Sequence, residues 1–211
     1  MGSENIVKFF YCDYNFDMLP SSEYSYVRDL FWPEVFEHWR EREAIMPEWI
    51  HCATKIKGWP NWESWRMNSA HQFDAPHRTW KQFEIKNPFK TIPQWLLGPF
   101  PSWFRDYFPH FEKYEEHTFQ EMVEKNNSFL QRHKKIEDII RHFPCPTEMI
   151  GIWLSQEQKM VCYEGTHRAT AVALAQYTVK NISFPILPKI VVTEFTDKEK
   201  KFLDIMLSLK T

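Results

Sequence analysis

Cysteine is scarce and scattered in this chain. The four present, Cys12, Cys52, Cys145 and Cys162, form no C-x-x-C pair. That argues against a disulfide framework and a compact structural zinc site, and suits a reducing compartment. Glycine numbers only five. There is no P-loop, no G-x-G-x-x-G and no G-x-S-x-G, so the familiar glycine-dependent phosphate loops and the nucleophile elbow are missing. No run approaches the ~20 apolar residues of a membrane helix. Glu4 and Lys8 interrupt the first residues before any apolar stretch of signal-peptide length. The expectation is a cytoplasmic protein without a membrane partner. Neither sign of charge dominates. A formal net charge of −2 argues against general affinity for nucleic acid, though not against a local basic site.

Aromatics, by contrast, are abundant. They make up 17% of the 211 residues, with ten tryptophans, most of them before residue 112. Two readings stay open: rings that fill the core of a loop-rich half, and rings that line a ligand cleft. The length suits one domain, or one domain with a large extension, and is enough to bury a core.

Taken in order, residues 6–11 are apolar and strand-like. Residues 23–42 fit a helix interrupted at Trp32-Pro33, with Pro33 in the first turn of the second piece and Phe31, Val35, Phe36 and Trp39 on one face. Met46-Pro47 opens another helix, Gly58 to Trp62 reads as a loop, and residues 63–70 as a short helix. Residues 79–85 fit a strand or a short helix. Prolines at 88, 93, 99 and 101 then forbid any long element, yet Trp95, Leu96, Leu97, Phe100, Trp103 and Phe104 predict an ordered segment wrapped on the core. Residues 111–141 form the longest helical stretch, with a break at Asn126-Asn127-Ser128 and Asn127 or Ser128 as a cap. Strands follow at 149–154, 160–163 and 189–195. Thr196 to Glu199 caps a last helix with Phe202, Ile205, Met206 and Leu209 inward. There is no internal repeat and no low-complexity tract.

The chain is organised around residues 159–176. A short apolar run ends in Glu164-Gly165-Thr166-His167-Arg168, and an alanine-rich helix follows, with Ala169, Val172, Ala173 and Gln176 on one face. Gly165 permits a turn that a Cβ would resist, and Thr166 suits a helix N-cap. The first free amides of the helix, with Arg168 and His167, would make a point of positive potential where phosphates bind. The plainer alternative is a turn that merely caps a helix.

Glu164-Gly165-Thr166-His167-Arg168-Ala169 resembles the (D/E)-G-x-H-R-x-x-A box of the ParB/sulfiredoxin-like superfamily, which cradles nucleotide phosphates at a helix N-terminus. The likeness covers roughly residues 129–196 by order of elements. It implies an α+β fold: a small mixed sheet with flanking helices (residues 111–211), preceded by an aromatic-rich, mostly helical and loop extension (residues 1–110) packed on it. The sulfiredoxin nucleophile is missing, because Thr166 stands where that cysteine would be, and Cys162 reads as a buried small hydrophobe. Too few residues follow the last strand for the helix-turn-helix of a DNA-partitioning protein.

What remains resembles the superfamily's free-amino-acid kinases. The resemblance implies a nucleotide-dependent phosphotransferase acting on a small-molecule substrate, with ATP or ADP and Mg²⁺ as cofactors. Glu164, Gly165, Thr166, His167 and Arg168 would hold the phosphates, and Arg168 would neutralise developing charge. His167 is a candidate catalytic residue. A carboxylate upstream would accept the substrate proton, and Glu116 or Glu112 is the candidate. A solvated helix face is the simpler explanation of that acidic cluster. Glu164 could instead hold the turn or a metal ion. His71, Asp74 and His77, and His110 with His117, lack structural-zinc spacing, so no dedicated protein metal site is expected. The alternatives are a non-catalytic nucleotide- or anion-binding module, and an enzyme of different chemistry on the same fold.

Overall fold

Strands at Tyr24–Leu30 (β1), Trp80–Ile85 (β2), Glu148–Leu154 (β3), Lys159–Glu164 (β4) and Lys189–Phe195 (β5) pair into one open mixed sheet. The order across it is β1-β2-β5-β3-β4. Among the strand pairs of the described residues, β5–β3 alone is parallel. The computed structural model describes residues 18–208, so residues 6–11 and Leu209 lie outside the described residues. Strand β3 is buried along its whole length, as an interior strand with both faces covered must be. The sheet joins both halves of the sequence, because β2 pairs with β5 from Lys81↔Val192 to Glu84↔Lys189. The architecture is therefore α+β.

The helix expected across residues 23–42 is a strand and then a helix. Tyr24-Ser25-Tyr26 and Arg28-Asp29-Leu30 pair with β2 on either side of a bulge at Val27. Aromatic and β-branched side chains on a paired edge outweigh the helical spacing. Trp32–Glu43 (α1) then starts with Pro33 in its first turn, as expected. Its inward stripe is Trp32, Val35, Trp39 and Glu43, while Phe31 is 80% exposed rather than on the core face.

Pro47–His51 (α2) runs into a π-helical turn, Cys52–Ile56, and Trp62–His71 (α3) follows. The Asn61 side chain caps α3 by accepting from the Ser64 amide at 2.8 Å. The proline-rich segment is ordered, as its apolar content predicts. It forms Pro88–Thr91 (α4), a 3₁₀ turn and Pro101–Tyr107 (α5), with Trp95, Leu96 and Leu97 buried. Leu96 donates to Met160 O at 2.7 Å and accepts from Cys162 N at 2.9 Å, which hems the free edge of β4.

The long helical stretch begins only at Phe119–Leu130 (α6), where Thr118 accepts from the Glu121 amide at 3.0 Å. The expected break is present as a kink, with Asn126 non-helical at φ −126° and ψ 18° between two helical pieces. The caps differ from expectation: Thr118 precedes α6 and His133 precedes Lys134–Arg141 (α7), so neither Asn127 nor Ser128 takes that role. Thr166–Tyr177 (α8) packs against α6 and α7. It buries Ala169, Val172 and Ala173 as expected, whereas Gln176 is exposed. Thr196 and Glu199 form the expected capping box ahead of Lys201–Ser208 (α9). That helix buries Leu203, Met206 and Leu207, with Phe202 half-buried and Ile205 39% exposed.

Candidate functional site

The β4–α8 turn depends on one residue. Gly165 sits at φ 105°, and a Cβ there would collide with the Met149 side chain. Both facts restrict the position to glycine. Gly165 is itself the N-cap, and Thr166, expected in that role, is the first residue of the helix. Among the described residues nothing in the chain accepts from the amides of Thr166, His167 and Arg168. First-turn amides have no partner inside their own helix.

The residues that carry these amides, with Glu164 and Gly165, line a cavity of ≈ 970 Å³. Trp49, Trp65, Phe100, Trp103 and Tyr163 supply its aromatic walls, while Trp39, Trp62, Trp80, Trp95 and Trp153 are buried. Rings of the tryptophan-rich half thus fill the core and also border a cavity. Tyr163 is enclosed by Trp39 at 5.7 Å and Phe73 at 5.0 Å between ring centroids.

Arg168 is already engaged. Its Nη1 donates to Thr147 Oγ1 at 2.6 Å and to Glu148 O at 2.9 Å, and its Nη2 donates to Glu164 Oε1. It straps the turn to β3. Sequence reasoning missed the second arginine of this site, Arg42. Its Nη1 donates to Glu148 Oε1 at 3.2 Å, and its Nη2 stands 3.9 Å from Glu164 Oε2. Glu148 also accepts from His38 Nδ1 at 3.1 Å and from Gln82 Nε2, so that carboxylate is saturated. Arg42 Nε and Nη2, Glu164 Oε2 and the Tyr163 hydroxyl are buried without a hydrogen-bond partner. Buried polar atoms nearly always have partners, so four unsatisfied atoms on residues that line one cavity single it out as the candidate site. In the sequence Arg42 looks like part of a solvated charge run, Arg40-Glu41-Arg42-Glu43. The one available signal was Glu43, which falls in the buried stripe of α1.

Glu43 itself holds Arg66, with Nη2 at 2.6 Å from its Oε2, and also accepts from Trp62 Nε1 at 3.0 Å. The Arg66 guanidinium lies 4.0 Å from the Trp65 ring, 4.9 Å from Trp39 and 5.1 Å from Trp49. Burial, and then repulsion from Arg105 and Arg66, pull the Lys57 ammonium at the cavity wall below its ordinary pKa, although Cys52 opposes this. His167 is half-buried beside Trp103 at 5.2 Å and His133 at 6.1 Å. Burial first, and then Lys135, His133 and Arg168, push its pKa down to about 3. It is therefore a neutral imidazole, not a cation facing phosphate.

Neither Glu116 nor Glu112 lines the cavity. Glu116 pairs with Lys159 at 2.7 Å and Lys200 at 2.5 Å. Lys159 begins β4 and the box ends it, about 16 Å away at ~3.3 Å per residue. Partial burial opposes ionisation there, but the two lysines hold the carboxyl below its ordinary range. Glu112 is exposed. Cys162 is fully buried, and burial raises its thiol pKa, so it behaves as the small hydrophobe its position suggests. Among the described residues no group of three or more His, Cys, Asp or Glu could hold a metal ion, and no helix is long and apolar enough to cross a membrane.

The fold and the site together describe an α+β protein with a mixed aromatic and charged cavity at a strand-to-helix turn. No family model, no curated protein and no solved structure matches the chain.

Proposed function

We propose that the cavity binds a nucleotide by its phosphates, on a fold of the ParB/sulfiredoxin-like kind. On this reading the chain is a nucleotide-dependent phosphotransferase acting on a small-molecule metabolite. The observation that carries it is the meeting of the unpaired α8 amides with the unpaired Nε and Nη2 of Arg42 at one ≈ 970 Å³ cavity. The Nε–Nη2 edge of a guanidinium matches two oxygens of a phosphate, and a helix N-terminus adds favourable potential. Trp49, Trp65 and Trp103 offer apolar surface to a base. ATP or ADP fits a space of this size. A Mg²⁺ carried in with the nucleotide would find Glu164 Oε2, a buried carboxylate oxygen with no hydrogen-bond partner. Arg168 acts as the strap that holds the phosphate turn, and Arg42 takes the neutralising role.

The second reading is a nucleotide- or anion-binding module without catalysis. It is favoured by Glu116, which is bound to Lys159 and Lys200 far from the turn and so leaves the cavity without that proton acceptor.

Thermal-shift titration with ATP, ADP, CTP and GTP, with and without Mg²⁺, tests both readings. Stabilisation by a nucleotide that is lost in Arg42→Ala supports the site. Nucleotide consumption with a metabolite acceptor then separates enzyme from sensor. No stabilisation by any of the four would reduce the box to a capped turn.

A further inference from the structure

Beside the large cavity, and sharing Trp49, Ser102, Trp103 and His167 with it, lies a second niche of ≈ 230 Å³. Asp106, Tyr107 and His133 complete its wall. The two spaces differ in charge. The large cavity carries six lysines and arginines among five carboxylates, whereas among the described residues Asp106, whose Oδ1 accepts from the exposed Arg105 Nε at 3.3 Å, is the only Asp, Glu, Lys or Arg side chain lining the niche. His167 adds no positive charge, because burial keeps its pKa at about 3. Aromatic rings crowd the same spot: Trp103 lies 5.3 Å from Tyr107 and 5.2 Å from His167. Rings grouped around a single carboxylate are the chemistry that receives an alkylammonium. The chain already uses one of these rings that way, since Lys135 Nζ sits 4.7 Å from the Trp49 centroid while 3.7 Å from Glu48 Oε1. One polar atom in the wall is unsatisfied: His133 Nδ1 is buried with no hydrogen-bond partner. A ligand hydroxyl would satisfy it.

We propose that this niche binds a small amino alcohol, with its ammonium toward Asp106 and the rings and its hydroxyl toward His133, and that this alcohol is the phosphoryl acceptor of the adjoining site. The acceptor role rests on the nucleotide reading above. In the transfer, the hydroxyl oxygen bonds to the terminal phosphorus of the nucleoside triphosphate as the bond to the bridging oxygen breaks. The nucleoside diphosphate leaves with that electron pair, and the hydroxyl proton goes to His133 Nδ1.

Calorimetric titration of the full chain with ethanolamine, choline and the uncharged isostere of choline tests the niche, each with and without ATP·Mg²⁺. The expected result is binding of the ammonium compounds about tenfold or more tighter than the isostere. Asp106→Asn should abolish that preference while its melting temperature and nucleotide response match the parent. Equal affinity for the isostere, no binding of either ammonium compound, or an unchanged preference in Asp106→Asn overturns the proposal. Nucleotide binding without ammonium binding sinks this inference alone. Charge-selective ammonium binding without nucleotide binding sinks the nucleotide reading and the acceptor role with it.

Discussion

Arg42 Nη2 and Glu164 Oε2 stand 3.9 Å apart, and neither atom has a hydrogen-bond partner. The pair closes a chain of alternating charge from Glu148 through Arg42 and Glu164 to Arg168, reaching from α1 to the turn before α8. The outer contacts of this chain are made, and the inner one is left open. A bound anion on Arg42, or a cation on Glu164, would complete it.

Arg42→Met tests the anion half. The substitution keeps apolar bulk and removes the fork. Nucleotide affinity should fall at least roughly tenfold, the worth of one lost charge-assisted hydrogen bond at about 1.5–3 kcal/mol. Calorimetry with the best-binding nucleotide measures it, and unchanged affinity would assign the phosphates elsewhere.

Gly165→Ala should be among the most damaging single changes in the chain. The residue holds φ 105°, and the added methyl meets Met149. Left-handed strain together with overpacking predicts a loss of about 2–4 kcal/mol. Urea denaturation reads it directly. A loss no larger than that of an exposed surface alanine would mean the turn can relax.

The half-buried imidazole of His167 makes stability depend on pH. Its folded pKa of about 3 lies below the unfolded value of ~6.5. Between these values the unfolded chain binds a proton that the folded chain refuses. The contribution is therefore intact above pH ~6.5 and is lost as pH falls toward about 3, at up to ~1.4 kcal/mol per unit. His167→Phe should flatten this part of the profile. Urea midpoints across that acid range would show it.

Glu116→Gln should leave the nucleotide response intact, because Glu116 is engaged by Lys159 and Lys200 at the other end of β4. A modest loss of stability is expected from breaking a partly exposed charge network. If binding survives but turnover vanishes, Glu116 would after all be the proton acceptor suggested by the sequence.

The C-terminal half was legible because its signals are local. The order of α7, β3, β4, α8 and β5 follows from short apolar runs, prolines and a single turn glycine. The N-terminal half was harder because its signals compete. Tyr24 to Leu30 has helix-like spacing, but pairing with β2 decides the outcome. Within the candidate site, the residues from Glu164 to Arg168 were identified from their own motif, and the structure places all five on one cavity wall. Arg42 was not found, because its meaning lies in Glu148 and Glu164, more than a hundred positions away. The upstream carboxylate was sought at Glu116, whose charge is met by Lys159 and Lys200, which the sequence gives no reason to pair with it.

The enclosure of Arg66 by indoles has a practical corollary. Trp49 and Trp65, which flank that guanidinium, also border the large cavity, as does Trp103. A molecule entering it would displace solvent from those rings, so the native emission of the unlabelled protein would serve as an optical gauge of whether the cavity is filled.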